Sequence, residues 1–224
     1  MSLCEAVADG EVERVRALLA RGEDPNKEEE GSTPIACAMS LLSSNTGPGL
    51  VRDVFACIKL CLDAGADPNV SWDERVCGTP LGEAVMQGRP EFVRLLLSAG
   101  ADPNVPPDPS GLTILHHACD MWAGQAVQAP RYEIVRLLLA AGANYGQPFR
   151  YAICCGYYHL WPLFLQVGAA IPTEGYDRGY FSVTQRYEYL RTIEEAGGFK
   201  AYEMAHTKAL AATLAKKFPA HIPE

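Results

Sequence analysis

The chain has 224 residues, of which 48% are hydrophobic and 21% are charged, so it is long and apolar enough to bury a core. Its 27 Asp and Glu outnumber its 19 Lys and Arg, which gives a formal net charge of −8. Phosphate binding needs clustered positive charge, and the only cluster is Lys216-Lys217, so nucleic-acid binding is not expected. No transmembrane run and no signal peptide is recognisable, so neither a membrane protein nor a secreted one is expected.

Taken in chain order, the predicted elements alternate between apolar helices and one recurring turn. Four runs carry Leu and Val at helical spacing and end at a glycine: VRALLARG, IKLCLDAG, VRLLLSAG and VRLLLAAG. The turn that follows is GEDPN from Gly22, GADPNV from Gly65 and from Gly100, and GANYG from Gly142. Glycine can adopt the left-handed conformation that ends a helix, proline prevents the helix from resuming, and Asp and Asn bond nearby backbone. Each turn therefore predicts a helix end.

A shorter helix is predicted before each of these runs, and the pair recurs along the chain as a repeat. The first helices open as TPIACAM, TPLGEAV and TILHHAC, in which threonine suits the N-cap and proline suits the first turn. Three units have the same 21-residue spacing from opening to turn glycine: Met1 to Gly22, Thr79 to Gly100, and Gln147 to Gly168. The units that open at Thr33 and Thr113 are longer by 11 and 8 residues, inserted between their two helices.

These units resemble the ankyrin repeat, whose T-P-L-H-x-A opening is matched by Thr33-Pro34-Ile35, Thr79-Pro80-Leu81 and Thr113-Ile114-Leu115-His116. The resemblance implies an all-α fold, an ankyrin-repeat solenoid of about five to six stacked helix-turn-helix units with projecting loops. It covers residues 1 to about 172, with units at about 1–30, 31–77, 78–110, 111–146 and 147–172. Residues 173–224 are predicted to form a diverged helical capping segment, with two helices divided by Gly197-Gly198.

Two details of the repeats carry structural expectations. The small residues Ala38, Ala84 and Ala118 recur in the first helices and are expected to let these helices pack closely. Gln147 comes only 5 positions after Gly142, so the projecting loop is predicted to be missing between the fourth and fifth units.

The eight cysteines are interpreted as buried thiols in a reducing compartment. Cys57 and Cys61 align with Phe92 and Leu96 of the next unit, at positions that face the core. No C-x-x-C pair occurs, so neither a metal site nor a disulfide framework is expected. A metal-dependent activity of the Cys154-Cys155-His159 group stays open as an alternative.

Neither catalysis nor a cofactor is expected. His116 is the fourth residue of the repeat opening, where the resemblance implies a hydrogen bond to neighbouring loop backbone. His117 follows it, but no Ser, Cys or Asp stands with it in a recognisable nucleophile arrangement. The chain also lacks a glycine-rich phosphate loop.

The resemblance implies recognition of a protein partner through the loop tips and two positions late in each first helix. Trp72 lies in a polar loop, VSWDERVCG, close to Arg75, and interface energy concentrates in Trp and Arg. The predicted partner-binding residues are Trp72, Asp73, Glu74, Arg75, Met86, Gln87, Asp120, Met121 and Trp122. The alternative left open is that Trp72 or Trp122 folds back onto its own loop or onto a neighbour.

The sequence thus predicts a non-catalytic scaffold or adaptor, monomeric and cytoplasmic, with the nucleus as a second compartment. An alternative is that the array is itself the substrate of an asparaginyl hydroxylase, because ankyrin-like proteins can be hydroxylated on the turn asparagine. The asparagines concerned are Asn26, Asn69 and Asn104. Each follows a proline, whereas the family's preferred site has an aliphatic residue there.

Overall fold

A computed structural model describes residues 2–42, 47–72, 78–105, 110–119, 128–155, 157–171, 190–193 and 195–217. Within these ranges the secondary structure is helical and contains no strand; an isolated antiparallel bridge joins Glu29 and Ser32. None of the helices in the described ranges is both long and apolar enough to cross a membrane. The chain divides into two compact units, Met1–Pro148 and Phe149–Glu224.

The first unit is built from helix pairs that stack in two layers. First helices contact first helices, α1 on α3, α3 on α5 and α5 on α7, and second helices contact second helices, α2 on α4 and α6 on α8. The bounds are α1 Leu3–Ala8, α2 Val12–Ala20, α3 Pro34–Leu42, α4 Pro48–Asp63, α5 Pro80–Met86, α6 Pro90–Ser98, α7 Ile114–Cys119 and α8 Gln128–Ala140. This arrangement confirms the all-α repeat array expected from the sequence.

The first helices begin where the repeat opening places a threonine. The Thr79 hydroxyl accepts the backbone N–H of Gly82 at 3.1 Å, and Pro80 occupies the first turn of α5, where no N–H is needed. Thr33 makes the corresponding bond to the N–H of Ala36 at 3.4 Å. The opening therefore acts as a cap, as predicted.

One alanine of each first helix is fully buried against the neighbouring repeats. These residues are Ala6, Ala38, Ala84 and Ala118. A methyl group at this position lets the helix backbones approach closely, and the larger apolar side chains fill the space between the layers. Cys57 and Cys61 are fully buried at the places that Phe92 and Leu96 occupy in the next unit, which confirms that these two thiols belong to the core.

Each second helix ends in the same backbone turn. At the end of α4 the N–H of Gly65 bonds to the carbonyl of Leu62 and the N–H of Ala66 bonds to the carbonyl of Cys61, at 3.0 and 2.9 Å. This pair of bonds is the Schellman motif, which needs a residue with positive φ, and Gly65 has φ +92°. The other turn glycines share this conformation: Gly22, Gly100, Gly142 and Gly168.

Substituting Gly65 tests this role separately from packing, because a Cβ there would meet no atom within 4 Å. Gly65→Ala is expected to lower the free energy of unfolding by about 1 kcal/mol, since the left-handed conformation strains an L residue. Gly49→Ala, near the start of the same helix, is expected to raise it by about 0.5–1 kcal/mol, because alanine favours helix. Urea titration followed by circular dichroism measures both. If Gly65→Ala and Gly49→Ala changed the free energy of unfolding equally, Gly65 would not need its positive φ to end helix α4.

The asparagine of each turn ties that turn to the next. The amide Nδ2 of Asn69 donates to the carbonyl of Gly100 at 3.2 Å, and its Oδ1 accepts the backbone N–H of Asp102 at 2.7 Å. The N–H of Asn69 itself donates to the carboxylate of Asp67, two residues earlier, at 2.8 Å. Aspartate therefore holds the turn internally, and asparagine holds it to its neighbour.

The same pair of bonds recurs on either side of Asn69, and together they form an asparagine ladder. Asn26 bonds the carbonyl of Gly65 and the N–H of Asp67 at 3.0 and 2.7 Å, and Asn104 bonds the carbonyl of Gly142 and the N–H of Asn144 at 3.1 and 2.7 Å. The ladder stops at the fourth turn, because Gly146 stands in the asparagine position and has no side chain. Helix α9 (Gly146–Cys154) starts there, directly after the turn, as the short spacing predicted.

The second unit packs around aromatic side chains. The rings of Phe149 and Phe164 stack with centroids 5.0 Å apart, and the indole N–H of Trp161 donates to the carbonyl of Ala152 at 3.4 Å. Its further helices are a 3-10 turn Tyr158–Leu160, α10 Trp161–Gln166 and α11 Phe199–Lys217. Helix α11 lies where the second helix of the capping segment was predicted. Most of the first predicted helix falls in 172–189, outside the described residues.

Candidate recognition surface

Trp72 lies in the segment that follows the turn at Gly65, between the second and third repeats. Its backbone N–H donates to the carbonyl of Gly78 at 2.9 Å. The residue is 37% exposed, so its indole is partly covered and partly open to solvent. A large apolar side chain is therefore partly available to solvent between the second and third repeats.

Met86 and Gln87 lie at the C-terminal end of α5, in the first-helix layer. Met86 is 45% exposed, although Val85 beside it is buried. The amide nitrogen Nε2 of Gln87 donates a hydrogen bond to the carboxylate of Glu83, one helical turn earlier. The amide oxygen Oε1 of Gln87 is buried and accepts no hydrogen bond from the described part of the chain. Gln87 is thus held against its own helix, and Met86 is the residue that offers apolar area to solvent.

The other predicted partner-binding residues lie outside the described residues. They are Asp73, Glu74 and Arg75 in the loop after Trp72, and Asp120, Met121 and Trp122 in the inserted turn after α7.

His116 is buried and bonded, as its place in the repeat opening predicted. Its Nδ1 accepts the backbone N–H of Thr113 at 3.0 Å and lies 2.9 Å from the Thr113 hydroxyl. These two contacts are to the opening of its own helix. The side chain orders the start of α7, which is a structural role.

The first projecting loop is acidic and partly self-paired. The ammonium of Lys27 lies 3.1 Å from the carboxylate of Glu29. A hydrogen bond from the Ser2 side chain, followed by the Lys27 contact, lowers the pKa of Glu29. Both charges are exposed to solvent, which screens such pairs, so this contact orders the loop more than it stabilises the fold.

The layer of second helices carries a charged cluster that joins two repeats. Glu133 on α8 accepts hydrogen bonds from Arg136 of the same helix and from Arg94 of α6, both at 2.7 Å. The pKa of the Glu133 carboxyl is lowered, mainly by the hydrogen bond from Arg136. Burial acts in the opposite direction, and the hydrogen bond from Arg94 lowers the pKa further. This cluster therefore links the second helices of two neighbouring repeats through charge-assisted hydrogen bonds.

The side chain of Cys154, part of the alternative Cys154-Cys155-His159 group, lies outside the described residues. In the described ranges, no three His, Cys, Asp or Glu side chains are placed to hold a metal ion. His159 is half-buried, and this burial lowers its pKa, as expected for a neutral imidazole in a packed site. The described cysteine side chains are free thiols. Cys4, Cys57, Cys61 and Cys119 are buried as expected, whereas Cys37 and Cys155 are half-buried.

Sequence reasoning did not find two features of this region. The first is the asparagine ladder, which joins successive turns. The sequence feature that could have indicated it is the asparagine that ends three of the turns at the same position. The second is the hydrogen bond between Glu83 and Gln87, which restrains the Gln87 side chain. The sequence feature that could have indicated it is their spacing of four residues, which places both side chains on one side of the helix.

Comparison with known proteins agrees with this geometry. A family model described as "Ankyrin repeats (3 copies)" matches residues 51–149, which include most of α4, helices α5 to α8 and the ladder asparagines Asn69 and Asn104. No curated protein matches the chain. Ankyrin repeats are generally protein–protein interaction modules. Residues 51–149 therefore match the ankyrin-repeat family.

Proposed function

We propose that this protein is a non-catalytic scaffold or adaptor that binds a protein partner through the loop tips and first helices of its repeats. The family supports the general class, because ankyrin repeats generally serve protein–protein interaction. The proposed position of the binding surface rests on one observation, that Trp72 and Met86 are exposed on adjacent repeats.

Trp72 and Met86 suit a partner interface for different physical reasons. A tryptophan buries a large rigid surface on binding, and few residues of an interface supply most of its energy, Trp above all. Methionine is flexible and polarizable, so it adapts to the shape of a partner. Both side chains leave apolar area in water in the free protein, and a partner that covers them gains the free energy of that burial.

The proposed surface extends beyond these two residues. It includes Gln87, the loop residues Asp73, Glu74 and Arg75, and the inserted-turn residues Asp120, Met121 and Trp122. We further propose that the protein acts as a monomer in the cytoplasm or the nucleus, without a cofactor. The net charge of −8 favours a neutral or basic partner surface over an acidic one.

The test is affinity capture from lysate of the source cells with two baits. The Trp72→Ala/Met86→Ala bait is expected to recover at least about 30-fold less of the specific partner than the unaltered bait, because losing two anchors costs about 2 kcal/mol or more. Proteins are identified by mass spectrometry, and the affinity of the recovered partner is then measured with purified components.

Tyr132→Ala supplies the matched control. Tyr132 is 40% exposed on α8, in the layer of second helices, so it resembles Trp72 in exposure but lies outside the proposed surface. This variant is expected to recover the partner as well as the unaltered bait does. Equal loss with both variants, or no loss with either, would place the binding surface elsewhere on the protein.

A further inference from the structure

The first turn of the array has the same backbone conformation as the turns that the asparagine ladder joins. Gly22 has φ +87°, against +85° to +92° at the glycines of the next three turns. The N–H of Glu23 bonds to the carbonyl of Leu18 at 3.2 Å and ends α2 as in those turns. The N–H of Asn26 donates to the carboxylate of Asp24 at 2.9 Å, which is the internal bond of the second and third turns too. The first turn therefore holds its backbone groups in the same relative positions.

In each of the next three turns, one asparagine carboxamide bonds two backbone groups at once. It donates to the carbonyl of the turn glycine at 3.0–3.2 Å and accepts the N–H two residues later at 2.7 Å. In the first turn these groups are the carbonyl of Gly22 and the N–H of Asp24. Both residues are exposed, and neither group is hydrogen-bonded within the described part of the chain. Residues 1–21 contain no Asn or Gln, so this segment supplies no carboxamide to the pair.

We propose that the carbonyl of Gly22 and the N–H of Asp24 form a binding site for one side-chain carboxamide, that of an asparagine or glutamine in a protein partner. The protein nature of the ligand rests on the proposed function, whereas the site itself uses groups other than Trp72 and Met86. The bound side chain would continue the asparagine ladder by one step at the end opposite to Gly146.

The hydrogen-bonding pattern of the pair selects a primary carboxamide. Its two bonds need a donor and an acceptor on the same edge of one group, which the side chains of Asn and Gln provide. A carboxylate has no donor, and an ammonium or a guanidinium has no acceptor. A trans peptide group directs its N–H and its C=O to opposite sides, so it can bond only one of the two backbone groups. The turn is already held in the binding conformation, so little ordering is needed on binding.

The end face of the first repeat favours a single side chain over another packed repeat. The residue eight positions before the turn glycine is buried in the next three units: Cys57, Phe92 and Ile134. Phe92 shows what this position faces, because its ring meets Phe55 of the preceding repeat. The first unit has Arg14 there, which is exposed and ion-paired within its own repeat. A repeat packed on this face would remove the Arg14 guanidinium from water, which is costly without a buried partner.

The probe that tests the site is the neutral peptide N-acetyl-Ala-Pro-Asn-Val N-methylamide, in which the Asn side chain is the sole primary carboxamide. It is titrated into the full ¹⁵N-labelled chain, and the backbone N–H resonance of Asp24 is followed by nuclear magnetic resonance. The control peptide has leucine in place of the asparagine, with a similar shape and no polar atom. At equal concentrations, the asparagine peptide is expected to shift the Asp24 resonance about 5- to 30-fold more, the factor that two net hydrogen bonds contribute to binding.

The same spectra contain an internal control. The backbone N–H groups of Asp67, Asp102 and Asn144 already donate to ladder asparagines, so neither peptide should shift their resonances. The proposal is overturned if neither peptide shifts the Asp24 resonance, or if both shift it equally. A shift at Asp67 as large as that at Asp24 would overturn it too, because the response would then not depend on an unoccupied pair.

This test is independent of the affinity capture. Trp72→Ala/Met86→Ala leaves the backbone of the first turn unaltered, so this variant should respond to the asparagine peptide as the parent chain does. Recovery of a partner without any peptide response would end the carboxamide site and leave the proposed function standing. A peptide response without any recovered partner would support the site and end the proposed function.

Discussion

Phe92→Ala is expected to lower the free energy of unfolding by about 4 kcal/mol, the largest effect of any substitution considered for this protein. Phe92 is fully buried on α6, and its ring meets that of Phe55 on α4 edge to face, with centroids 5.2 Å apart and planes at 77°. Truncation removes the buried ring and leaves a cavity between the second and third repeats. Neighbouring side chains cannot fill it, because the helix backbones are held at a fixed distance by the turns and the buried alanines.

Urea titration followed by far-ultraviolet circular dichroism and by tryptophan fluorescence measures this change. The two probes matter, because a repeat array loses cooperativity when one interface fails, and separate transitions would then appear. Phe92→Leu is the control that keeps most of the apolar volume, and it is expected to cost about 1–1.5 kcal/mol. A loss below about 2 kcal/mol for Phe92→Ala would mean that the two repeats do not share a packed core.

The ring contact itself can be separated from the burial of Phe92. Phe55→Leu, alone and combined with Phe92→Leu, completes a double-mutant cycle. The expected coupling energy is about 0.5–1.5 kcal/mol, as found for aromatic pairs beyond their area of burial.

Asn69→Ala is expected to lower the free energy of unfolding by about 2 kcal/mol. The substitution removes two hydrogen bonds, from Nδ2 to the carbonyl of Gly100 and from the N–H of Asp102 to Oδ1. Each such bond contributes about 0.5–1.5 kcal/mol net. The loss reaches beyond one turn, because the ladder bond at Asn69 sets the position of the third turn relative to the second.

Asn69→Asp separates the two bonds of the amide. The carboxylate can still accept the N–H of Asp102, but it cannot donate to the carbonyl of Gly100, and it places an oxygen against that carbonyl oxygen. We expect it to destabilise the protein at least as much as alanine does at pH 7. Both are measured by thermal and urea unfolding beside the parent chain. A change below about 0.5 kcal/mol for both variants would show that the ladder bonds are replaced by water at no net cost.

The sequence predicted the parts of this fold that depend on a few neighbouring residues. Thr79 caps α5 through a hydroxyl three residues from its partner, and Gly65 ends α4 because its own φ is positive. The burial of Cys57 followed from its register with Phe92 in the next repeat. These features are local or periodic, so a single chain with repeated segments displays them directly.

For the candidate site, the sequence selected residues by type and place but could not assign their contacts. Gln87 was selected as a partner-binding residue, and the structure adds that its amide donates a hydrogen bond to the carboxylate of Glu83. Met86, one residue earlier, is exposed because the helix turns it away from the core that buries Val85. The partner-binding role of these residues remains the proposal to be tested by the Trp72→Ala/Met86→Ala bait.

By itself the sequence determined the repeat, its helix starts and ends, and the family, since each rests on backbone preferences and spacing along one chain. The tertiary structure alone decided which side chains meet across repeats. Asn69 bonds a turn 31 residues away, and the Phe55 ring meets the Phe92 ring of the next repeat edge to face. The physical reason is that such contacts depend on the distance and rotation between neighbouring repeats, which packing sets after the local elements have formed.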